Sequence, residues 1–541
     1  MSHYVWLSIA SGILLFALAC GGDGSQPRTK PRVDATSTPE PLRAYRVDSL
    51  SDRFDEIPGD GVCGTPAPRE CTLHAAIQEA LASEKPLPIT FAVSGTVALG
   101  SALPPLSKGI LIDGPGAQLL TVVAPPGSPV VQVAGAAEIR GLTLTGGTRA
   151  GIIVDAGAEL TTTRVTISGN TAGGNVFREG GGVRNQGKLN LNSSVVAQNT
   201  AHFGAGIMNQ GALVVDDSQI RDNRAEDDPR GVNGGGGIAS GSREYSVTIR
   251  NSRLTGNRAG NGGAIYSFGD LLVENSLIAE NSVPSAQGVL AHGGGLYLGG
   301  TARVVNSHIV GNVASYGGGI FKNPDANLEI TGSAIAFNRA STSGGGIVNN
   351  RGPLLLERST IDNNQGGGVF NNRGTATLSN VTLSTNLGVG FQAVRNTGVA
   401  GEPGQMRIVH STITGNSVGV LSDFVSNLTF RASILAANSA NCAGLPDNLT
   451  SEGANFSSDG TCGLGAAGDR NRTDALLAPL ADNGGGTYTH ALRPGSPAID
   501  AAGPCDLPTD QRGVTRPQSG LPGAIALCDA GSYELQPAPL P

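Results

Sequence analysis

Aromatic and charged side chains are scarce in this sequence. Of its 541 residues 4% are aromatic and 15% are charged, with 1 Trp, 8 Tyr and 13 Phe. Hydrophobic residues nevertheless make up 39% and the net charge is only −7, a balance that excludes an intrinsically disordered chain. No cluster of Lys or Arg is present, which argues against nucleic acid as a partner.

Long apolar runs and metal-binding spacings are also missing. Beyond the first 20 residues no apolar run approaches the roughly 20 residues that span a bilayer, which excludes an integral helical membrane protein. Glycine does not recur at every third position, so the chain is not collagen. No Cys-x-x-Cys or His spacing indicates zinc. A chain of this length without such features is a multidomain protein or a repeat array.

The first 19 residues have the features of a signal peptide. The apolar stretch from Val5 to Ala19 is shorter than a spanning helix and fits the hydrophobic region of such a peptide. It ends in small residues before Cys20, and a Gly/Ser segment follows, which resembles a bacterial lipobox. The resemblance implies lipidation of Cys20, a flexible tether over 20–45 and an exported lipoprotein at the outer membrane or cell surface. Plain secretion and an uncleaved anchor are the alternatives.

Cysteine usage agrees with export. The chain has 7 Cys, so removing the lipobox cysteine leaves an even number, and exported proteins form disulfides. The remaining cysteines lie as local pairs along the chain. This arrangement predicts three bridges: Cys63–Cys71, Cys442–Cys462 and Cys505–Cys528.

A repeat of the form L-x-L-x-x-S-x-I-x-x-N fills the middle of the chain. It recurs eleven times from residue 160, for example over 213–223 and 354–364. Apolar residues alternate with polar ones within each half, which is typical of β-strands, and the three-residue step to the Ser indicates a bend. Gly-Gly segments such as 181–183 and 236–238 separate the repeats and predict a third strand after a tight corner.

Three short strands per repeat, with repeats spaced 22 to 34 residues apart, predict an all-β, single-stranded parallel β-helix. About 13–14 coils, the first two or three of them less regular, are expected over 87–440, with caps over 46–86 and 441–541. Helical spacing of apolar residues over 72–81 predicts a helix in the N-terminal cap. Because coils stack about 4.8 Å apart, the last residue of each repeat would form a ladder of amides that supports a left-handed turn. Its members are Asn170, Asn199, Asn223, Asn257, Asn281, Asn312, Asn338, Asn364, Asn386, Asn416 and Asn438.

Motifs near both ends resemble families of bacterial surface proteins. The segment from Cys63 to Ile77 resembles the CSLREA-type N-terminal segment. Three segments, 480–500, 509–517 and 528–534, are together similar to the choice-of-anchor Q domain. The repeats look like those of polymorphic outer-membrane proteins. The resemblance implies a right-handed, pectate-lyase-like β-helix on the cell surface and implies no activity.

One column of the aligned repeats carries candidate catalytic residues. Asp216, Arg250 and Glu274 occupy the same outward position of three successive coils, an acid–base–acid arrangement. The structural alternative is a surface ion ladder, which contributes only about 0–1 kcal/mol per pair.

The densest acidic segment comprises Glu226, Asp227 and Asp228, in the widest repeat. It is the candidate calcium site, because calcium prefers clustered carboxylate oxygens. The alternative is a solvated loop, and no other cofactor is predicted.

A binding, adhesive or structural role is favoured, with a polysaccharide, matrix or another cell-surface protein as partner and the membrane reached through the lipid. The residues outside the coil pattern form neither a dense acidic nor a dense aromatic site. The alternative is a polysaccharide lyase or glycoside hydrolase acting on the outer face of the β-helix, since this fold hosts both.

Overall fold

A computed structural model describes residues 44–537 except 174–177, 227–232, 285–289, 389, 445–447 and 520–524. The chain divides into two units, 1–43 and 44–541, and the architecture below is that of the second. The predicted signal peptide, Cys20, Asp227 and Asp228 lie outside the described residues.

The second unit is an all-β, right-handed parallel solenoid of about 14 coils, as predicted. Most coils have a strand carrying the L-x-L motif, and this strand and its equivalents in the terminal coils are called here the long strands. The long strands are Tyr45–Val47, Ile89–Phe91, Ile110–Asp113, Ala136–Arg140, Glu159–Thr163, Lys188–Asn192, Ala212–Asp216, Ser246–Arg250, Asp270–Glu274, Thr301–Val305, Asn327–Thr331, Ile347–Glu357, Val369–Ser379, Gln405–Val409, Asn427–Arg431 and Leu449–Ser451.

A second strand carries the S-x-I motif, called the serine strand, and these strands form a separate sheet of 16. They are Gly95–Ala98, Leu120–Val123, Thr143–Thr145, Thr166–Ser168, Val195–Ala197, Gln219–Arg221, Arg253–Thr255, Leu277–Ala279, His308–Val310, Ala334–Ala336, Thr360–Asp362, Thr382–Ser384, Thr412–Thr414, Ile434–Ala436, Phe456–Ser457 and Arg470–Asn471.

A third strand follows the glycines and is called the post-glycine strand; it shares one sheet of 27 strands with the long strands. In two coils it is continuous with the long strand. The separate ones are Val131–Val133, Ile152–Val154, Val183–Asn185, Ile207–Asn209, Ile238–Ser240, Ile265–Ser267, Leu296–Leu298, Ile320–Lys322, Val394–Thr397, Val420–Ser422 and Cys442–Ala443. Short additional strands are Thr200–Ala201, Arg224–Ala225, Val313–Tyr316, Arg339–Ser343, Leu477–Ala481 and Thr489–Leu492.

Equivalent residues of successive coils pair in parallel and share one core. Leu213 pairs with Leu189 on one side and with Val247 on the other. The predicted inward residues Val215 and Ile220 are fully buried in the same cluster as their equivalents. Burial of one side chain in every two along each strand is therefore what drives the stacking of the coils.

The bends between strands are residues in the left-handed conformation. The residue before each serine has a positive φ, for example 45° at Asp217 and 50° at Asn251. The residue before each ladder asparagine does the same, for example 55° at Asp222 and 57° at Glu280. The left-handed turn thus belongs to the neighbour of the ladder asparagine, which instead supports it through hydrogen bonds.

Glycines form the third corner, because successive coils approach too closely there for a side chain. A Cβ placed on Gly295 would lie 2.7 Å from the carbonyl oxygen of Gly319 in the next coil. This distance is well below the normal separation of packed carbon and oxygen atoms. The Gly-Gly pattern therefore marks a corner where successive coils pack closely.

The parallel pairing extends beyond the predicted limits of 87–440. Tyr45–Val47 already pairs with Ile89–Phe91, and Phe456–Ser457 pairs with Arg470–Asn471. A helix, Leu73–Ala82, packs Leu73 and Ile77 into the core beside the first strands. The Thr72 hydroxyl caps it by accepting a hydrogen bond from the amide of Ala75 at 3.1 Å.

The C-terminal residues lie along the side of the coils, whereas the sequence suggested that they cover the end. Gln511 bonds the hydroxyls of Thr360 and Thr382, at 2.9 and 2.6 Å. Ser532 bonds Thr412 one coil further on. The outer positions of these serine strands carry hydroxyl groups, and that is why a polar segment docks on them.

The three predicted bridges are present: Cys63–Cys71, Cys442–Cys462 and Cys505–Cys528. Within the described ranges, no helix has the length and apolar character needed to cross a membrane.

Candidate functional site

The predicted asparagines form an unbroken amide ladder inside the coils. Each side-chain Nδ2 donates to Oδ1 of the next member, for example from Asn223 to Asn257 and from Asn257 to Asn281, both at 3.0 Å. The ladder runs from Asn170 to Asn438. Its amides face the interior and are occupied by one another, so they are unavailable to a ligand.

A second amide ladder was missed by the sequence analysis. It lies at the third residue of the post-glycine strand, where Asn349 donates to Asn371 at 2.7 Å and Asn371 donates to Asn396 at 2.8 Å. Asn at the third position after Gly-Gly was the available sequence signal. This ladder is also buried and structural.

The candidate catalytic column lies in the alignment expected. Asp216 pairs in register with Arg250, and Arg250 with Glu274. Arg250 Nε lies 3.1 Å from Glu274 Oε2, and these side chains are 47% and 35% exposed. Asp216 instead accepts a hydrogen bond from Asn251 Nδ2 at 2.9 Å. The column is solvent-exposed and resembles other surface pairs such as Arg303–Glu329.

The candidate calcium segment is described only at Glu226. Its carboxylate lies 3.7 Å from Arg178 and 3.6 Å from His202, so it contacts basic groups. Across the described part of the chain, no three His, Cys, Asp or Glu side chains are placed to hold a metal ion.

The outer side of three successive coils carries a cluster of aromatic rings, called here the aromatic patch. Tyr266, Tyr297 and Phe321 occupy the middle of consecutive post-glycine strands and are in register. His292 and Tyr316 are in register at the adjacent corner. The patch consists of Tyr266, Phe268, His292, Tyr297, Tyr316 and Phe321.

The centre of the patch is a stack of three rings. The centroids of Tyr266 and Tyr297 are 4.9 Å apart, and those of Tyr297 and Phe321 are 5.5 Å apart, each pair with 14° between planes. These spacings follow from the stacking of the coils, because strand neighbours lie about 4.8 Å apart.

Further rings flank this stack on both sides. His292 stacks on Tyr316 with centroids 5.7 Å apart and lies 4.5 Å from Phe321. Phe268, on the other side, is tilted by 47° to Tyr266 at 5.2 Å. The patch is therefore three coils long and three side-chain columns wide.

Glycines make room for these rings. A Cβ on Gly234 would lie 2.8 Å from the ring of Tyr266, and one on Gly299 would clash with Phe268. The rings thus lie over bare backbone of the neighbouring coil. Their positions are set by local packing, so the patch is preorganised.

The patch is partly exposed and uncharged. Phe321 is 7% exposed, whereas the other five rings are half-buried. Burial raises the pKa of Tyr266 to about 12 and lowers the pKa of His292, so the imidazole is neutral at neutral pH. The hydroxyls of Tyr266, Tyr297 and Tyr316 have no hydrogen-bond partner among the described residues.

The patch corrects the expectation that the surface has no dense aromatic site. The patch contains three of the 8 Tyr and two of the 13 Phe of the chain. The sequence did carry a signal for the patch. In three successive repeats the segment Gly-Gly-Leu, or its variants Gly-Ala-Ile and Gly-Gly-Ile, is followed by an aromatic residue: Tyr266, Tyr297 and Phe321. It was missed because each ring stands alone in the sequence and only the coil stacking brings them together.

Buried charges at the C-terminal segment have a structural role. Arg516 Nη1 lies 2.8 Å from Glu534, and both side chains are fully buried. Arg516 also donates to the carbonyl oxygens of Asp529 and Gly531. Burial raises the pKa of Asp529 to about 7. These groups bond one another and hold the segment on the coils.

A family model described as right-handed beta helix region matches residues 150–321 and 288–435. No curated protein matches the chain.

Among solved structures, the A-module of mannuronan C-5 epimerase AlgE6 from Azotobacter vinelandii is 14% identical with a TM-score of 0.32, and the match covers 70% of this chain and 93% of that one. The AlgE4 A-module of the same organism is 13% identical with a TM-score of 0.33, covering 73% and 97%. The pectate lyase Pel9A is 13% identical with a TM-score of 0.28, covering 91% and 97%. Similarity this low carries no inference about function.

Proposed function

The chain belongs to the right-handed β-helix family, and we propose that it is an exported, surface-exposed binding protein that contacts its ligand through the aromatic patch. The ligand comes from the surroundings of the cell: a glycan, the matrix or another cell-surface protein. The concentration of aromatic rings on three coils of an aromatic-poor chain is the observation that carries the proposal. Exposed aromatic clusters are typical of binding surfaces, because they supply contact area at low entropic cost.

The remaining described surface supports binding over catalysis. The charged pairs of the long strands, Lys188–Glu159, Arg250–Glu274 and Arg303–Glu329, are exposed and satisfied by one another. Paired exposed charges of this kind are typical of solvated faces and offer no activated acid or base.

The proposal is tested by substitutions within the patch. We expect Tyr266→Ala combined with Tyr297→Ala to weaken binding to whole cells or to a panel of immobilised polysaccharides about tenfold, equivalent to roughly 1.4 kcal/mol. Phe424→Ala is the control, because Phe424 is 75% exposed and outside the patch. Equal binding by wild type and patch variant, with both folded, would reject the patch as the contact surface.

Surface attachment is proposed to occur through a lipid on Cys20, as the lipobox-like segment suggests. The similarity of the terminal motifs to CSLREA-type and choice-of-anchor Q segments supports a surface location. Labelled fatty acid should enter the wild-type protein and not Cys20→Ser, since thioether attachment needs the cysteine sulfur. Equal labelling of both proteins would contradict a lipid anchor on Cys20 and would favour plain secretion instead.

A second candidate function is a polysaccharide lyase or glycoside hydrolase on the outer face of the β-helix. The register of Asp216, Arg250 and Glu274 on three coils favours it. A lyase would release unsaturated sugar ends in a calcium-dependent reaction that Arg250→Ala abolishes and the matched Arg303→Ala leaves intact. Absence of such release from acidic and neutral polysaccharides excludes a lyase, and the absence of new reducing ends excludes a hydrolase.

A further inference from the structure

We propose that the aromatic patch binds an uncharged glycan chain that lies along the stack of coils, with one sugar unit on each coil. The inference rests on the proposed binding function and names its ligand class. Three observations carry it: the spacing of the rings, the apolar character of the floor, and the uncharged polar groups at its rim.

Spacing is the first observation. The central rings repeat at 4.9 and 5.5 Å from Tyr266 through Tyr297 to Phe321. This repeat is close to the length of one pyranose unit in an extended polysaccharide. A chain parallel to the stack would therefore meet one ring at each successive unit, first the half-buried Tyr266 and Tyr297 and then the more deeply buried Phe321, which a chain lying across the coils would not.

The floor is the second observation. The rings of Tyr266, Tyr297 and Phe321 stack on one another, and the tilted ring of Phe268 borders them on one side. The His292–Tyr316 pair borders them on the other side. A shallow apolar strip between two borders suits the C–H faces of sugar rings, which are removed from water on contact with aromatic surface.

Uncharged polar groups at the rim are the third observation. The hydroxyls of Tyr266, Tyr297 and Tyr316 have no partner among the described residues and can donate to or accept from sugar hydroxyls. His292 is neutral, with Nδ1 3.3 Å from Asn261 Oδ1. Hydroxyls and a neutral imidazole match an uncharged glycan.

The cation nearest in sequence is turned away from this surface. Lys322 follows Phe321, but its side chain is fully buried and its Nζ donates to the carbonyl oxygens of Asn323 and Arg351. Carboxylate or sulfate groups of an anionic glycan would thus gain no charge partner from this lysine.

A length series of oligosaccharides tests the inference by titration calorimetry. Uncharged β-1,4-linked glucose and mannose oligomers of one to eight units are compared with oligogalacturonates and alginate oligomers. We expect affinity for one uncharged series to rise with each unit up to three or four and then level off, because the patch is three coils long. The affinity should not depend on salt, since no ion pair forms.

Variants assign the binding to the patch. Tyr297→Ala should lower the affinity about tenfold, and Tyr297→Phe should lower it less because the stack remains and only the hydroxyl is lost. Phe424→Ala should leave it unchanged. Thermal unfolding of each variant verifies folding, and Tyr266→Phe provides a second hydroxyl deletion should Tyr297→Ala fail to fold.

Other outcomes separate this inference from the proposed function. Tighter, salt-dependent binding of an anionic series that Tyr297→Ala weakens would overturn the inference and leave the binding function standing. Patch-dependent binding to a protein partner would do the same. No patch-dependent binding to any glycan, cell or matrix sample would overturn both.

Discussion

Single residues in this protein act mainly through repetition. A ladder asparagine such as Asn281 donates from Nδ2 to Leu254, Ala279 and Asn312, at 2.9–3.0 Å. It also accepts from the backbone and the side chain of Asn257. Each amide therefore closes a corner within its own coil and joins that coil to both neighbours, and this is why the same residue recurs at the position.

Loss of one ladder amide should be costly. In Asn281→Ala the carbonyl oxygens and amides that bonded Asn281 lose partners while remaining buried, at about 1–3 kcal/mol for a buried unsatisfied group. We expect faster amide hydrogen exchange in the coils around 254–312 and a lower unfolding free energy. Asn327→Ala is the control, because Asn327 is an exposed strand residue. Equal loss in both variants would contradict a special role of the ladder.

His410 is a buried residue whose protonation opposes folding. Burial, aided by the positive charges of Arg516 and Arg431, lowers the pKa of His410 to about 3. The Asp506 carboxylate lies 3.7 Å from its Nε2. An unfolded histidine has a pKa of about 6.5. The stability is therefore full above pH 6.5 and declines as the pH falls toward 3, because only the unfolded chain takes up the proton.

His410→Asn should remove this dependence. Asparagine occupies the equivalent corner at Asn251, Asn275 and Asn306, where φ is 47–50°, and so tolerates the φ of 43° at His410. Between pH 7.5 and 5, wild type should lose about 2 kcal/mol more unfolding free energy than the variant. Denaturant titration at the two pH values measures this difference. Other histidines remain in both proteins and cancel, so identical pH slopes would refute the assignment.

At the scale of elements, two kinds of contact hold the molecule together. Strands contact their equivalents in the next coil through backbone pairing and buried aliphatic side chains, as Val215 does with Ile249. The C-terminal segment instead docks by hydroxyls, amides and a buried ion pair. The second interface is polar, so it depends on every partner being present.

Arg516 should be the residue on which docking of the segment depends. Arg516→Ala leaves Glu534 buried without its partner, and breaking such a pair costs about 3–5 kcal/mol. We expect limited proteolysis to cut residues 487–534 much faster while the coils remain protected. Arg493→Ala is the matched control, because Arg493 is an exposed arginine of the same segment with no ion-pair partner among the described residues. Similar cleavage of both variants would show that Arg516 is dispensable for docking.

At the scale of the whole molecule, the described disulfides lie toward the two termini. Sequence separations are 8 for Cys63–Cys71, 20 for Cys442–Cys462 and 23 for Cys505–Cys528. The coils between them depend only on stacking against their neighbours. In such a repeat array stability is a sum of local terms, so the ends and the middle respond separately to a perturbation.

Reduction should therefore loosen the ends first. We expect a reducing agent to increase hydrogen exchange in 44–80 and 440–535, with each bridge worth about 2–4 kcal/mol, while 150–435 keeps its protection. Exchange followed by mass spectrometry with and without reductant measures this. Uniform loosening of the entire unit would contradict independent ends.

The coil architecture was predictable from the sequence because its signals are local and repeated. Alternating apolar residues, the three-residue step before serine, and Gly-Gly each report one strand or corner. Eleven copies make the period unmistakable. The N-terminal helix was predictable for the same reason, and it begins one residue after Thr72. The limits of the solenoid were harder to place, because terminal coils such as Tyr45–Val47 lack the repeated motif.

By itself the sequence determined the period, the inward residues and the outward column shared by Asp216, Arg250 and Glu274, since strand alternation and parallel register follow from spacing alone. Only the tertiary structure decided what the outer surface presents. Tyr297 and Phe321 become neighbours because loops of different length return to the same register. The C-terminal segment docks on the side of the coils because the serine strands carry hydroxyl groups there that it can bond. Both depend on contacts between residues far apart in the chain, and these leave no periodic trace in the sequence.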